Sequence, residues 1–506
     1  MTGADAGAGA GSWLAERAAL SPGQAGLICE GEELSWAELD GRVERVARRL
    51  VATGLSRGES VALLASPSIR FVELIHAAQR AGLVVITMND RLTASELGAQ
   101  LELARPAVVL HDVAHADAAR RLRSRHDWLQ TMEVGDELDR VDAGAAVDWP
   151  AVEADATLTV IFTSGTSGSP KGVMLSNGNH RSSAHAAMTG LGVERDDRWL
   201  VVLPLYHVGG LSILFRAVLF GVTVVLQREF DAVAAVGALS EQRVTIVSLV
   251  AAMLTRMLDV AGEQRFPDDL RCVLLGGGPT PAGLVQRCRR LRVPAVTSYG
   301  LTETGSQVAA AALAEHPASP PCSGHALAGV ELRIADPDGS GCGEILVRGP
   351  QVMTGYLARP DLTAAALADG WLHTGDLGRL DDRGGLHVAT RREDLIVTGG
   401  ENVVPDEVEA VLAEHAGVDE VGVFALEDPR WGQVVAAAIV AGGDRRVDGE
   451  ALVLWCRRRL AGYKVPRRLF AVGRLPRTAA GKLQRGRLAR EVATSGASML
   501  DRREWK

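Results

Sequence analysis

Short apolar, β-branched runs alternate along this chain with stretches of helical period. Ser60 to Leu64 precedes Ile69 to Ala81, Leu83 to Met88 precedes Thr93 to Glu102, and Ala107 to His111 follows. Further on, Val222 to Leu226 leads into Ala232 to Gln242, and Thr245 to Ser248 into Met253 to Val260. Continuous apolar strands between amphipathic helices predict parallel sheets covered by helices on both faces, an α/β fold of stacked βαβ sheets. From about residue 323 the texture changes. Strands such as Val330 to Ile334 and Gly343 to Val347 are separated by turn signals at Asp338-Gly339 and Asp382-Arg-Gly-Gly385, which predicts a small barrel-like, antiparallel subdomain. Near Arg391 the pattern returns to βαβ, with a helix Asp406 to Glu414 opened by Pro405-Asp406 and strands at Glu420 to Ala425 and Val435 to Val440. The expected organisation is a tail at 1–12, a large N-terminal domain at 13–390 and a small α+β C-terminal domain at 391–506, with no internal repeat.

Composition narrows the function classes. The 506 residues, 47% apolar, exceed what one hydrophobic core supports, so more than one domain is expected. The net charge is −8 with both signs scattered, which gives no footprint for nucleic acid. The Gly/Ala-rich first dozen residues lack a basic n-region and an apolar h-region, and no apolar run approaches membrane-spanning length. Six cysteines at 29, 272, 288, 322, 342 and 456 show no C-x-x-C pair and no metal spacing, as reduced thiols in a cytosolic protein would. A cytoplasmic chain with no membrane partner is the expectation, with a homodimer left open.

Candidate chemistry starts from lysine. Positive charge here is almost all Arg, and the four lysines are Lys171, Lys464, Lys482 and the C-terminal Lys506. A compact ammonium suits a single phosphate or carboxylate oxygen where a planar fork does not fit. Lys171 ends Thr163-Ser-Gly-Thr-Ser-Gly-Ser-Pro-Lys171, directly after the apolar run Leu158 to Phe162. Two glycines and five hydroxyl residues after a strand let backbone NH groups and hydroxyls turn toward one anion. The loop is not a Walker loop, because Pro170 precedes the Lys, and Val173 to Leu175 reads as a second strand before Ser176 caps a helix. A flexible hairpin tip is the alternative.

Further marked segments follow in order: Leu203-Pro-Leu-Tyr-His-Val-Gly-Gly-Leu211, Leu274-Leu-Gly-Gly-Gly-Pro279, Thr297-Ser-Tyr-Gly-Leu-Thr-Glu-Thr304, Trp371-Leu-His-Thr-Gly-Asp376, Arg391-Arg-Glu-Asp-Leu-Ile-Val-Thr-Gly-Gly-Glu-Asn402 and Pro476-Arg-Thr-Ala-Ala-Gly-Lys482. Taken with the Thr163 loop, this set resembles the adenylate-forming superfamily of acyl-CoA synthetases, nonribosomal adenylation domains and firefly luciferase, over nearly the whole chain. The resemblance implies ATP, Mg²⁺ and coenzyme A, and a carboxylic acid activated as its adenylate before a thiol attacks it.

The roles it implies are these. The loop of Thr163, Ser164, Gly165, Thr166, Ser167, Gly168 and Lys171 would hold the β- and γ-phosphates. Thr302 would offer a hydroxyl to the α-phosphate and Glu303 a carboxylate to Mg²⁺. Tyr299, between Ser298 and Gly300, would give adenine a flat face, with Gly276, Gly277 and Gly278 along its edge. Asp376 would accept from the ribose hydroxyls, and Arg391 would reach the ribose or a phosphate. Lys482 would bridge substrate carboxylate and α-phosphate during adenylation. The small domain would then rotate about a pivot at Glu393 and present Gly399 and Gly400 to a pantetheine arm. Alone, Asp376 reads as a turn residue and Tyr299 as a core residue; only their places in the ordered set give them these roles.

The acid is approached through the pocket wall. Amino-acid-activating relatives carry an Asp just after the position of His207, and here Val208 stands there, so a neutral or anionic acid is expected. Within the superfamily the wording around His207, Gly276, Glu303 and Asn402 most resembles the o-succinylbenzoate-CoA ligases of menaquinone biosynthesis. Their substrate is a dicarboxylate, and its second carboxylate needs a cation or strong donors. Arg216, nine residues past His207 on an apolar stretch, is the candidate, against the reading of an Arg snorkelling to solvent. His207 would flank the carboxylate being activated, and Ser306 and Gln307 would add neutral hydrogen bonds. A general aryl- or medium-chain acyl-CoA ligase, a stand-alone enzyme loading a carrier-protein thiol, and a nucleotide-binding regulator are the alternatives.

Overall fold

The computed structural model describes residues 12–149, 151–164, 170–278, 280–312, 322–390, 395–441, 448–477, 483–494 and 498–500. The expected strand–helix alternation builds two large sheets. The first runs, in spatial order, through Gly355–Tyr356, Pro170–Ser176, Thr157–Ser164, Val84–Thr87, Ser60–Leu64, Val108–His111 and Thr131–Glu133. Its strands from Thr157–Ser164 to Thr131–Glu133 are parallel. The second is nine-stranded, with Ala295–Leu301, Cys272–Leu275, Ile246–Leu249, Arg198–Val201 and Thr223–Leu226 as its parallel centre. Helices fill the space between the sheets and are buried on most of their faces, with polar side chains such as Glu73, His76, Arg80 and Arg216 among the buried ones. Val208–Phe220 buries ten of its thirteen residues and Ile69–Ala81 eleven.

Helix starts follow the caps written into the chain. Ser35 with Glu38 and Thr93 with Glu96 form reciprocal capping boxes, and Ser176 caps Asn177–Leu191 as expected. Ser176 also ends the strand Pro170–Ser176, which pairs antiparallel with Thr157–Ser164 and sets Thr163 opposite Lys171. The strands on either side of the hydroxyl-rich segment therefore pair as a hairpin.

Beyond residue 323 the antiparallel texture is present. Glu331–Ala335, Gly343–Arg348, Trp371–Leu380, Leu367–Ala368 and Leu386–Thr390 form one small sheet. Residues 396–499 build a six-stranded sheet around the long hairpin Val418–Asp428 and Gly432–Ala441, with a core of its own centred on Val408, Leu412, Val423, Val435 and Leu452. Lys464 ties this unit to the helix Ala94–Ala104 of the large unit. Its buried ammonium donates to Glu96 Oε1 and Glu407 Oε1, both at 2.7 Å. Burial opposes the charge, but the two carboxylates outweigh it and hold the ammonium above its ordinary range.

Candidate active site

Where the small unit faces the large one, a cavity of about 740 Å³ opens over the carboxyl ends of the second sheet's parallel strands. Leu249, Leu274, Gly276, Gly277, Ser298 and Gly300 form its floor. Gly300 is obligatory there, because a Cβ would stand 2.2 Å from the Ser306 carbonyl oxygen, at a register shift between Ala295–Leu301 and Ser306–Ala312. Strand alternation explains one departure from expectation. Ser298 and Gly300 face the cavity, so Tyr299 between them points the other way and is 4% exposed in the main core. Its ring gives no face to the cavity; its hydroxyl instead donates to Asp376 Oδ2 at 2.8 Å and fixes that buried carboxylate at the wall. Gly278 also departs from its expected place along a nucleotide edge. It lies outside the lining, with its Cβ position 3.5 Å from Val397 of the small unit.

Thr163 and Lys171 reach the cavity from the hairpin, and Thr302 and Glu303 from a single 3₁₀ turn. Lys171 Nζ stands 5.3 Å over the Tyr356 ring, and the Tyr356 hydroxyl donates to Glu303 Oε1 at 2.8 Å. One cation, one carboxylate and the hydroxyls of Thr163 and Thr302 thus share one end. Hard oxygen donors of this kind suit Mg²⁺ better than a thiolate or imidazole metal.

Arg216 enters from the helix Val208–Phe220 and does not snorkel. It lines the cavity at 1% exposure, donates from Nη2 to Gln307 Oε1 at 2.9 Å and leaves Nε buried without a partner. Burial lowers its guanidinium to about 9, which still leaves it charged at neutral pH. Among the described residues no carboxylate pairs with it. Ser306, held at φ +134°, donates to the same Gln307 oxygen at 2.9 Å. A buried cation with this neutral support calls for an anion from outside the protein.

The roof belongs to the small unit: Leu395, Gly399, Gly400, Glu401, Asn402 and Val404. Gly399 and Gly400 have φ of +59° and +90°, and added Cβ atoms would approach the Trp431 ring to 2.8 Å and Val250 to 3.2 Å. Sequence reasoning missed Glu401, although it quoted the motif holding it. This 3%-exposed carboxylate accepts from His207 Nε2 at 3.0 Å, the Tyr206 hydroxyl at 3.0 Å and Arg91 Nη1 at 3.3 Å, all from the large unit. Burial raises its pKa, but His207 and Arg91 outweigh this and hold it below the usual carboxylate range.

Since its folded pKa is depressed, Glu401 contributes stability above the unfolded carboxyl range and loses it as pH falls through the folded value. Glu401→Gln is therefore expected to raise amide exchange across Ile396–Thr398 and Glu401–Val403 at neutral pH, by the equivalent of about 1.5–3 kcal/mol. The difference from the wild type should shrink only as the pH falls below the ordinary carboxyl range and through the depressed folded value, where both become neutral. A difference that persists in acid would remove the charge from the account.

Gly165, Thr166, Ser167, Gly168, Arg391, Glu393 and Lys482 lie outside the described residues, as does the Ser164 side chain. No metal spacing was read from the cysteines, yet Cys322, Asp381 and His387 bring ligand-type atoms within 4.8 Å of one another in the small antiparallel sheet. There Asp381 accepts from Gly385 N and pairs with His387 Nε2 at 2.9 Å, closing the turn Asp381–Gly385.

Residues 14–357 match the AMP-binding enzyme family, and 407–482 its C-terminal domain. The chain belongs to this family. It is 41% identical to the 2-succinylbenzoate–CoA ligase of Bacillus velezensis over 94% of this chain and 97% of that one. Among solved members, it is similar to a double mutant of the o-succinylbenzoate CoA synthetase of Bacillus subtilis bound with its product analogue, at 38% identity, TM-score 0.89, and 94% and 98% coverage. The same Bacillus subtilis enzyme in complex with its acyl-adenylate intermediate gives 36% identity, TM-score 0.73, and 98% and 99% coverage. Among the described residues no helix is long and apolar enough to cross a membrane.

Proposed function

We propose that this chain is an AMP-forming 2-succinylbenzoate–CoA ligase. The observation that carries the acid assignment is Arg216, a buried cation on the cavity wall whose side-chain acceptor among the described residues is the Gln307 amide. A dicarboxylate places one carboxylate there and offers the other for activation. In the first step that second carboxylate attacks the α-phosphorus of ATP, the bond to the β-phosphate breaks, and pyrophosphate leaves with the electron pair. In the second, the CoA sulfur attacks the acyl carbon, the bond to the AMP oxygen breaks, and the thiol proton is released.

Lys171 and Thr163 hold the phosphates that leave, Thr302 donates to the α-phosphate, and Asp376, steadied by Tyr299, accepts from the ribose. Glu303 would hold Mg²⁺, which when bound neutralises the charge that otherwise keeps two anions apart. The arrangement of the two units fits the second step. Gly399 and Gly400 lie over the cavity, where a side-chain-free surface admits a thin pantetheine arm. The better superposition on a product-analogue complex than on an acyl-adenylate complex supports the same reading. We place the pivot at Glu393 and the domain boundary before Arg391.

The test is a panel of acids with ATP, Mg²⁺ and CoA, read by AMP and pyrophosphate release. 2-Succinylbenzoate is expected to exceed benzoate and medium-chain acids by at least about 10²-fold in kcat/KM, the scale of a buried charge pair. Comparable rates across the panel would defeat the acid assignment, and release of AMP only when a carrier protein is added would defeat CoA as the acceptor.

A further inference from the structure

A second cavity, about 860 Å³ and so comparable with the nucleotide-sized first, lies between the units on another face. Its large-unit side carries Leu64, Asp90, His115, Arg121 and Arg125, and its small-unit side Trp455, Arg458 and Arg459. Leu64 ends one strand of the first sheet, while Asp90 and His115 follow its two neighbours, Val84–Thr87 and Val108–His111. From Ser60–Leu64 the chain goes first to one side and then to the other, so the cavity sits where strand order reverses. Open α/β sheets bind ligands beyond the carboxyl ends of their strands at this point.

The charges there are not balanced. His115 Nδ1 lies 2.5 Å from Asp112 and Nε2 3.7 Å from Asp90, and these carboxylates raise its pKa to about 9, so it is a cation at neutral pH. That contact occupies Asp90, and Asp117, the other acid of the lining, pairs with Arg120. Arg459 lies over the Trp455 ring at 3.3 Å and 3.8 Å from Glu414. The guanidinium groups of Arg121, Arg125 and Arg458 have no hydrogen-bond or ion-pair partner among the described residues. Cations from both units thus line one cleft, where an anion between them would offset their mutual repulsion.

We propose that this cleft binds a polyanion with two or more neighbouring phosphates, bridging the two units. Guanidinium forks suit phosphate oxygens, and three of them are unspent. Because its cations come from both units, the ligand holds the arrangement seen here by differential affinity. That consequence rests on the two-step reading above; the binding site does not. The phosphates could be those of the CoA nucleotide end or of a free polyphosphate.

Calorimetric titration of the full chain with inorganic tripolyphosphate, 3′,5′-ADP and CoA separates these. In Arg121→Ser/Arg458→Ser, one equivalent of bound tripolyphosphate is expected to be lost or weakened about tenfold or more, and in the wild type that equivalent should weaken with salt. Arg123→Ser, altered outside the lining and away from its acids, should keep it, and circular dichroism confirms that each variant folds. The same dependence for CoA and 3′,5′-ADP, but not tripolyphosphate, supports the site and assigns it to the CoA head. Stoichiometry and affinity unchanged in the double variant for all three probes, or loss in Arg123→Ser as well, overturns the proposal. Failure of the acid panel would leave this result untouched.

Discussion

Replacing Lys482 by alanine is expected to slow acyl-adenylate formation by about 10²–10³-fold while leaving thioester formation from a supplied adenylate within a few-fold of the wild type. The reasoning is electrostatic. A carboxylate must approach a phosphorus flanked by anionic oxygens, and a single ammonium between them counts most where the charge is shared in the transition state. In the second step a neutral adenylate carbonyl meets a thiol, and no such bridge is needed. Lys482 itself lies outside the described residues. Arg477 is held by Glu420 at 2.7 Å, Leu483 packs at Gly422, and neither lines the cavity, whose roof is Gly399, Gly400 and Glu401. Pyrophosphate exchange reads the first step and quenched-flow thioester formation the second. Equal loss in both would end the idea that two faces of the small unit serve two reactions. Lys482→Arg should fail nearly as badly, because a planar fork does not replace a point charge between two oxygens.

Much of this architecture is legible in the chain because local chemistry decides it. The apolar run Leu158 to Phe162, the strand after Pro170 and the cap at Ser176 each follow from neighbours in sequence, and the hairpin they form needs no distant contact to be foreseen. The cavity lining is legible where backbone or hydroxyl chemistry marks it, as at Gly276, Gly399 and Thr302. Tyr299 was misplaced because motif order says nothing about strand phase, whereas period-two alternation turns its ring into the core and leaves Ser298 and Gly300 facing out. Glu401 and Lys464 illustrate the other limit. Glu401 meets His207 from 194 positions away, and Lys464 meets Glu96 from 368. A polarity pattern can say that a charge will be buried, but its partner is settled only when the two units dock.

Arg216→Met is expected to raise KM for 2-succinylbenzoate by about 10²–10³-fold, with the thermal midpoint little changed. The wild-type cation is almost fully buried, and a substrate carboxylate beside it completes a desolvated pair; removing one partner of such a pair costs about 2–5 kcal/mol. Methionine has a similar reach and no charge, so the packing against Trp199 and the helix around it survives, and replacing a buried ion by an apolar side chain is often neutral for folding. The discriminating comparison is an acid of the same skeleton without the aromatic carboxylate, 4-oxo-4-phenylbutanoate. With wild-type protein this acid leaves Arg216 buried and unpaired, so it should be a poor substrate; with Arg216→Met it meets an apolar wall and should improve. Substrate and variant together form a double-mutant cycle in which the coupling, not either single loss, measures the contact. A coupling near zero would place Arg216 in the fold alone, supporting Gln307 and Ser306, and the second carboxylate would then have to be held elsewhere in the cavity.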